Sequence, residues 1–157
     1  MKYSELVATG IENPEDYGEA FRLLSDEFTE HEHTDLKFYD YVILVKYKKR
    51  GVGLITGMRY LPTKVIISDI VVDPQYRGHG VGLKLLKGLN QKVKADGFTY
   101  IMGITDTDNR QSVELYRRFG AVWSEQSVMI AEVAHGLPLM EQKEMLLKHR
   151  EKRREKE

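Results

Sequence analysis

The stretch VVDPQYRGHGVGLKLL, from Val71 to Leu86, carries an apolar segment through three glycines, Gly78, Gly80 and Gly82, into a second apolar segment. In that second segment Val81, Leu85, Leu89 and Val93 keep helical spacing. Glycine permits positive φ and a close approach to the backbone, and a helix N-terminus offers unpaired N–H groups with a partial positive charge. Together they make a site for a phosphate or pyrophosphate, held mainly by main-chain N–H groups from about Arg77 to Gly82. A nucleotide-hydrolase loop would need Lys followed by Ser or Thr where Lys84-Leu85 stands, and the dinucleotide fingerprint G-x-G-x-x-G differs from the G-x-G-x-G found here. Taken alone, the same glycines serve equally as a turn that packs a helix against a strand.

The neighbouring segments give this turn a setting. Upstream, YVILVKYK (41–48), GVGLITGMRYL (51–61) and KVIISDIVV (64–72) read as consecutive antiparallel strands joined at KKRG and beside Pro62. Before them, Asn13 and Pro14 look like N-cap and first residue of a helix on which Tyr17, Ala20, Phe21, Leu24 and Phe28 recur at helical spacing. Downstream, the glycine-led helix ends at Gly97, FTYIMGIT is a strand, NRQSVELYRRFG is a helix stopped by Gly120, and AVWSEQSVMIAEV is a last strand. The order predicts an α/β (α+β) domain over residues 1–136. Its mixed central sheet of six to seven strands is antiparallel first and then has a strand-helix-strand crossover, with about four flanking helices. Residues 137–157 form a charged, helix-prone tail; Leu139, Met140, Leu146 and Leu147 repeat at seven residues there and would dock the tail or support a homodimer.

Composition narrows the function. With 24 basic against 24 acidic side chains the chain has no global charge to attract nucleic acid. Absence of cysteine excludes disulfides, thiolate metal sites and a cysteine nucleophile. The polar opening MKYSELVATGIENPED does not suit a signal peptide and no apolar run reaches the length of a membrane span, so a cytoplasmic protein without membrane contact is expected. His31 and His33 do not share a helix face and have no evident third ligand, so no metal is expected.

At its glycines the chain resembles the GNAT superfamily of acyl-CoA-dependent N-acyltransferases. The pyrophosphate loop of that superfamily runs Arg or Gln, two residues, Gly, one residue, Gly or Ala. It is met twice in overlap, by Gln75 with Gly78 and Gly80 and by Arg77 with Gly80 and Gly82. VVDP is similar to the exit of the family's fourth strand, and NRQSVELYRRFGA to its second signature through Asn109, Ser112, Leu115-Tyr116 and Gly120. Two departures stand out: Ala121 replaces the usual aromatic residue, a space Trp123 would fill, and His79 holds a loop position that is often Lys or Arg. The resemblance spans roughly residues 40–133.

The resemblance implies an acetyl-CoA cosubstrate and direct attack by a primary amine, of a small molecule or a protein, in a ternary complex. Backbone groups of Arg77, Gly78, His79, Gly80, Val81 and Gly82 would hold the pyrophosphate. Main-chain N–H groups near Val71 and Val72, on a strand splayed from the next, would hold the pantetheine arm and polarise the thioester. Asn109 and Ser112 would help position the coenzyme, and the Tyr116 hydroxyl would act as general acid toward the thiolate. Helical spacing alone favours reading Tyr116 as an aromatic half in the core, and the surrounding motif reverses that preference. For the base, Asp69 is the lone acid in the strand 64–72, where partial burial would suit it to take an amine proton; it would equally bond neighbouring N–H groups. Tyr60 and Glu30 stand in reserve. Asp26, Glu27, Glu30, Glu32, Asp35 and Asp40 would suit a cationic acceptor such as a polyamine or lysine side chain, or simply form a solvated face. The alternative function is a non-catalytic acyl-CoA-binding sensor or scaffold.

Overall fold

The structure is a computed structural model, and it describes residues 1–27, 36–60, 62–98, 100–106, 109–120, 122–124 and 128–134. In chain order these hold β1 (Leu6–Thr9), α1 (Pro14–Glu27), β2 (Tyr41–Tyr47), β3 (Arg50–Tyr60), β4 (Lys64–Val72), α2 (Val81–Ala95), β5 (Tyr100–Asp106), α3 (Arg110–Phe119), β6 (Val122–Ser124) and β7 (Val128–Ala134). The hydrogen-bonded strand order is β1-β2-β3-β4-β5-β7-β6. β1, β2 and β3 pair antiparallel, α2 makes the crossover to a parallel β4–β5 pair, and β7 returns antiparallel between β5 and β6. The expected mixed sheet, antiparallel first and then crossed over by a helix, is the one found. The last strand is two instead of one: Val122, Trp123 and Ser124 pair with Glu132, Ala131 and Ile130. The sequence Ser124-Glu125-Gln126-Ser127 contains no apolar residue, a signal the single-strand reading passed over. The tail 137–157, with its expected helix and leucine repeat, lies outside the described residues.

The chain forms two compact units, one of Met1–Met58 with Ile67–Lys92, the other of Arg59–Ile66 with the residues from Val93 onward. In the first, α1 covers one sheet face, where Ala20, Leu23 and Leu24 pack with Leu44, Leu54 and Val71. Burying each such leucine contributes about 1.5–3 kcal/mol. α2 covers the other face, and it comes so close that a Cβ on Gly53 of β3 would lie 2.5 Å from Val81 Cγ1. The face of α1 differs from the expected one. Tyr17 and Phe21 stay 41% and 47% exposed, while Asp16, Ala20, Leu23 and Leu24 are buried. Apolar residues surround much of this helix, and the smaller Ala20 with two leucines fits the sheet where two aromatics do not. Asp16 is drawn in by Lys46 of β2, whose ammonium lies 2.8 Å from Oδ1; that hydrogen bond holds the carboxyl below its usual range although burial pushes the other way.

In the second unit β4 contributes Lys64, Val65 and Ile66, paired in parallel with Tyr100, Ile101 and Met102. β5 continues to Asp106 and stays paired with β7 over its whole length.

Candidate functional site

Asp73 opens the glycine loop as cap of the short 3-10 turn Pro74–Tyr76, its Oδ1 accepting the Gln75 N–H at 3.1 Å. Gly78 and Gly80 follow with φ of 79° and 84°, the left-handed region that side chains disfavour. Gly82 is not a third such residue, because it already belongs to α2. The Lys84 N–H is bonded to the Gly80 carbonyl, so the N–H groups of Val81, Gly82 and Leu83 precede the first donor of that helical ladder. These donors, at the positive end of α2, form a cradle for an anion. His79 is exposed and turns its Nδ1 onto the Tyr76 and Arg77 carbonyls at 3.3 and 3.0 Å, so the ring braces the loop.

The end of β4 prepares the other half of this region. The Asp69 N–H points to Thr56 Oγ1 and the Asp73 N–H to the Val52 carbonyl, both on β3. Strand alternation therefore turns the Val71 N–H toward β3 and the N–H groups of Ser68, Ile70 and Val72 to the opposite edge. Arg77 Nε donates to the Val72 carbonyl at 3.3 Å, as a side chain reaching that edge would. Of the two expected donors, Val72 points its N–H away from β3; Val71 points toward it and buries its side chain in the core.

Asp69 lies half-buried on the sheet face that carries Val65, Ile67 and Val71. Its Oδ2 accepts from Thr56 Oγ1 at 2.9 Å, and Thr56 itself is fully buried. Tyr60 is 49% exposed near the end of β3. Glu30, His31, Glu32, His33 and Asp35 lie outside the described residues, as do the side chains of Asp26, Glu27 and Trp123.

In the second unit, Asn109 caps α3 by accepting the Ser112 N–H at 3.3 Å. Both residues thus have a local task, one that the Asn-x-x-Ser spacing ahead of a helical run already signals. Gly120 ends the helix with φ 92°, as its position predicts. Tyr116 is 4% exposed and its ring lies on β5, where a Cβ at Gly103 would come 2.9 Å from Cζ and from the hydroxyl oxygen. Burial pushes its phenol up to about 12, so the group is protonated at neutral pH.

Two residues went unassigned in the sequence reading. Asp73 is buried, and beside its capping bond its Oδ2 lies 3.4 Å from Arg50 and 3.7 Å from Arg22 of α1. The Asp-Pro pair, a cap followed by proline in the first turn, was the available signal. Tyr3 packs its ring on the loop: a Cβ at Gly80 would lie 2.7 Å from Tyr3 Cδ2, and the ammonium groups of Lys84 and Lys87 sit 4.8 and 5.6 Å from the ring centre. No local pattern announces a contact between residues so far apart in sequence.

Solved structures share this fold. Ard1 from Thermoplasma volcanium is 19% identical, with a TM-score of 0.70 over 83% of this chain and 97% of that one. An aminoglycoside 6'-N-acetyltransferase complexed with coenzyme A is 16% identical, with a TM-score of 0.69 over 84% and 99%. Arabidopsis thaliana Naa50 in complex with the bisubstrate analogue CoA-Ac-MVNAL is 16% identical, with a TM-score of 0.66 over 82% and 97%. No curated protein matches the chain. No helix among the described residues is long and apolar enough to cross a membrane. Residues 10–121, which contain the glycine loop and α3, match the acetyltransferase (GNAT) family, and the chain belongs to that family.

Proposed function

We propose that this chain is an N-acetyltransferase that moves an acetyl group from acetyl-CoA to a primary amine of a small molecule or protein by direct attack in a ternary complex. The observation that carries the reading is the loop from Asp73 to Gly82, with two left-handed glycines opening α2 beside the β4 amides that point away from β3. Similar structures bound to coenzyme A and to a CoA-linked peptide support acetyl-CoA as cosubstrate. Backbone groups from Arg77 to Gly82 bind the pyrophosphate. The N–H groups of Val72 and Ile70 bind the extended pantetheine arm, and one of them polarises the thioester carbonyl. Asp69 takes the amine proton. Asn109 and Ser112 hold the start of α3, whose Tyr116 donates a hydrogen bond to the departing sulfur.

The high phenol value refines that last role. A thiol titrates near 8.5, so complete transfer from a phenol at about 12 is uphill by roughly 4–5 kcal/mol. Tyr116 therefore stabilises the thiolate as a hydrogen-bond donor, and full transfer requires the bound complex to narrow this gap. Acetyl-CoA turnover against a panel of amines, peptides and small metabolites tests the whole reading. Acetyl-CoA binding by calorimetry without turnover of any acceptor would replace it with the sensor alternative; no binding would remove both.

A further inference from the structure

We propose that Thr56 is the positioning residue of the base: its hydroxyl fixes the Asp69 carboxylate through Oδ2 and leaves Oδ1 to receive the acceptor's proton. The inference rests on the reading of Asp69 as the base. Thr56 is 0% exposed on β3, on the face where Val52 and Leu54 are also buried. A valine would fill such a place without a polar group to satisfy, so the hydroxyl needs two good partners to be tolerated. Asp69 supplies both. Its N–H donates to Thr56 Oγ1 at 3.0 Å, where a regular ladder would use a β3 carbonyl, and its Oδ2 lies 2.9 Å from the same oxygen.

The direction of these bonds follows from the inventory of hydrogens. An amide N–H only donates, so Thr56 Oγ1 accepts there; an ionised carboxylate only accepts, so the single hydroxyl hydrogen goes to Oδ2. Main chain and side chain of residue 69 are thus tied to one buried atom, and the closed ring holds the carboxylate in one rotamer. When an acceptor ammonium is deprotonated, its N–H bond breaks with the electron pair left on nitrogen, and an O–H bond forms at Asp69 Oδ1. Oδ2 keeps its bond to Thr56 throughout, so the carboxylate does not have to reorient during the transfer.

Thr56→Val removes the hydroxyl, and Thr56→Ser keeps it. At saturating acetyl-CoA, kcat should fall about tenfold in Thr56→Val with the acetyl-CoA KM within about twofold, and Thr56→Ser should recover to within about threefold of wild type. Added to Asp69→Asn, Thr56→Val should cause no further loss, because both act through one group. An NMR readout is independent of turnover: the Asp69 α–β proton couplings should report one rotamer in wild type and Thr56→Ser, and averaging in Thr56→Val. One retained rotamer in Thr56→Val overturns the proposal whatever the activity; so does an unchanged kcat, or a full extra loss on top of Asp69→Asn. Asp69→Asn measured alone separates the two layers, since wild-type turnover there removes the base assignment itself. Should Thr56→Val fail to fold, Thr56→Ala carries the same test.

Discussion

The glycine loop and helix α3 use their polar groups in opposite ways. Around Gly78 and Gly80 the polar groups on offer are main chain, bent into the left-handed region beside exposed Arg77 and His79. On α3 the backbone is an ordinary capped helix, and the polar group that stands out is one phenol that is almost wholly buried. A site made of main chain tolerates changes of side chain but not of conformation; a site made of one side chain reverses that. The contrast ranks the substitutions.

Gly80→Val should have the largest effect. It forces a β-branched residue to φ near 84° and drives a methyl-bearing carbon into the Tyr3 ring, so acetyl-CoA affinity measured by calorimetry should drop at least ~100-fold. Affinity within a few-fold of wild type would break the comparison at its first term. Tyr116→Phe should lower kcat at least ~10-fold and leave acetyl-CoA affinity nearly unchanged, provided chemistry limits turnover. The same variant sharpens the point through alkaline stability. Unfolded tyrosine titrates near 10 and the folded phenol near 12, so the unfolded state loses its proton first, and stability falls as pH rises through that window. The loss should reach about 2 kcal/mol by pH 12 in wild type relative to Tyr116→Phe; parallel curves in denaturant melts at pH 10 to 12 would contradict it.

Smaller effects follow. Asn109→Ala removes the cap of α3 and should lower stability by about 1 kcal/mol, with kcat changed far less than in Tyr116→Phe. Gly78→Ala meets open space, so only its positive φ opposes it, and a several-fold loss of acetyl-CoA affinity is expected. His79→Ala should alter that affinity less than about twofold, since a bracing ring is replaceable where the donors are main chain.

Much of the fold was legible because its signals are local: Pro14, Gly97 and Gly120 bound helices, and the apolar segments read at 41–48 and 64–72 hold the strands Tyr41–Tyr47 and Lys64–Val72. The turn at Gly78 and Gly80 was legible for the same reason, since left-handed conformation demands glycine at fixed positions. The face of α1 was not, because the choice between Phe21 and Leu23 depends on what the sheet offers, and no helical period records that. Tyr3 on Gly80 and Thr56 on Asp69 were hidden by sequence distance. Asp69 itself was visible as an acid among apolar neighbours, but its partner could be named only once β3 lay beside β4.

The alternation of N–H groups along β4 has a consequence for amide exchange with deuterium. The amides of Ser68, Ile70 and Val72 point away from β3, so the bonds to β3 that hold the Asp69 and Asp73 amides do not slow their exchange. A pantetheine arm, whose two amides can bond such a row of N–H groups, would slow all three on binding. Deuterium uptake at these three positions then reports coenzyme occupancy directly, with no acceptor present and none needing to be known.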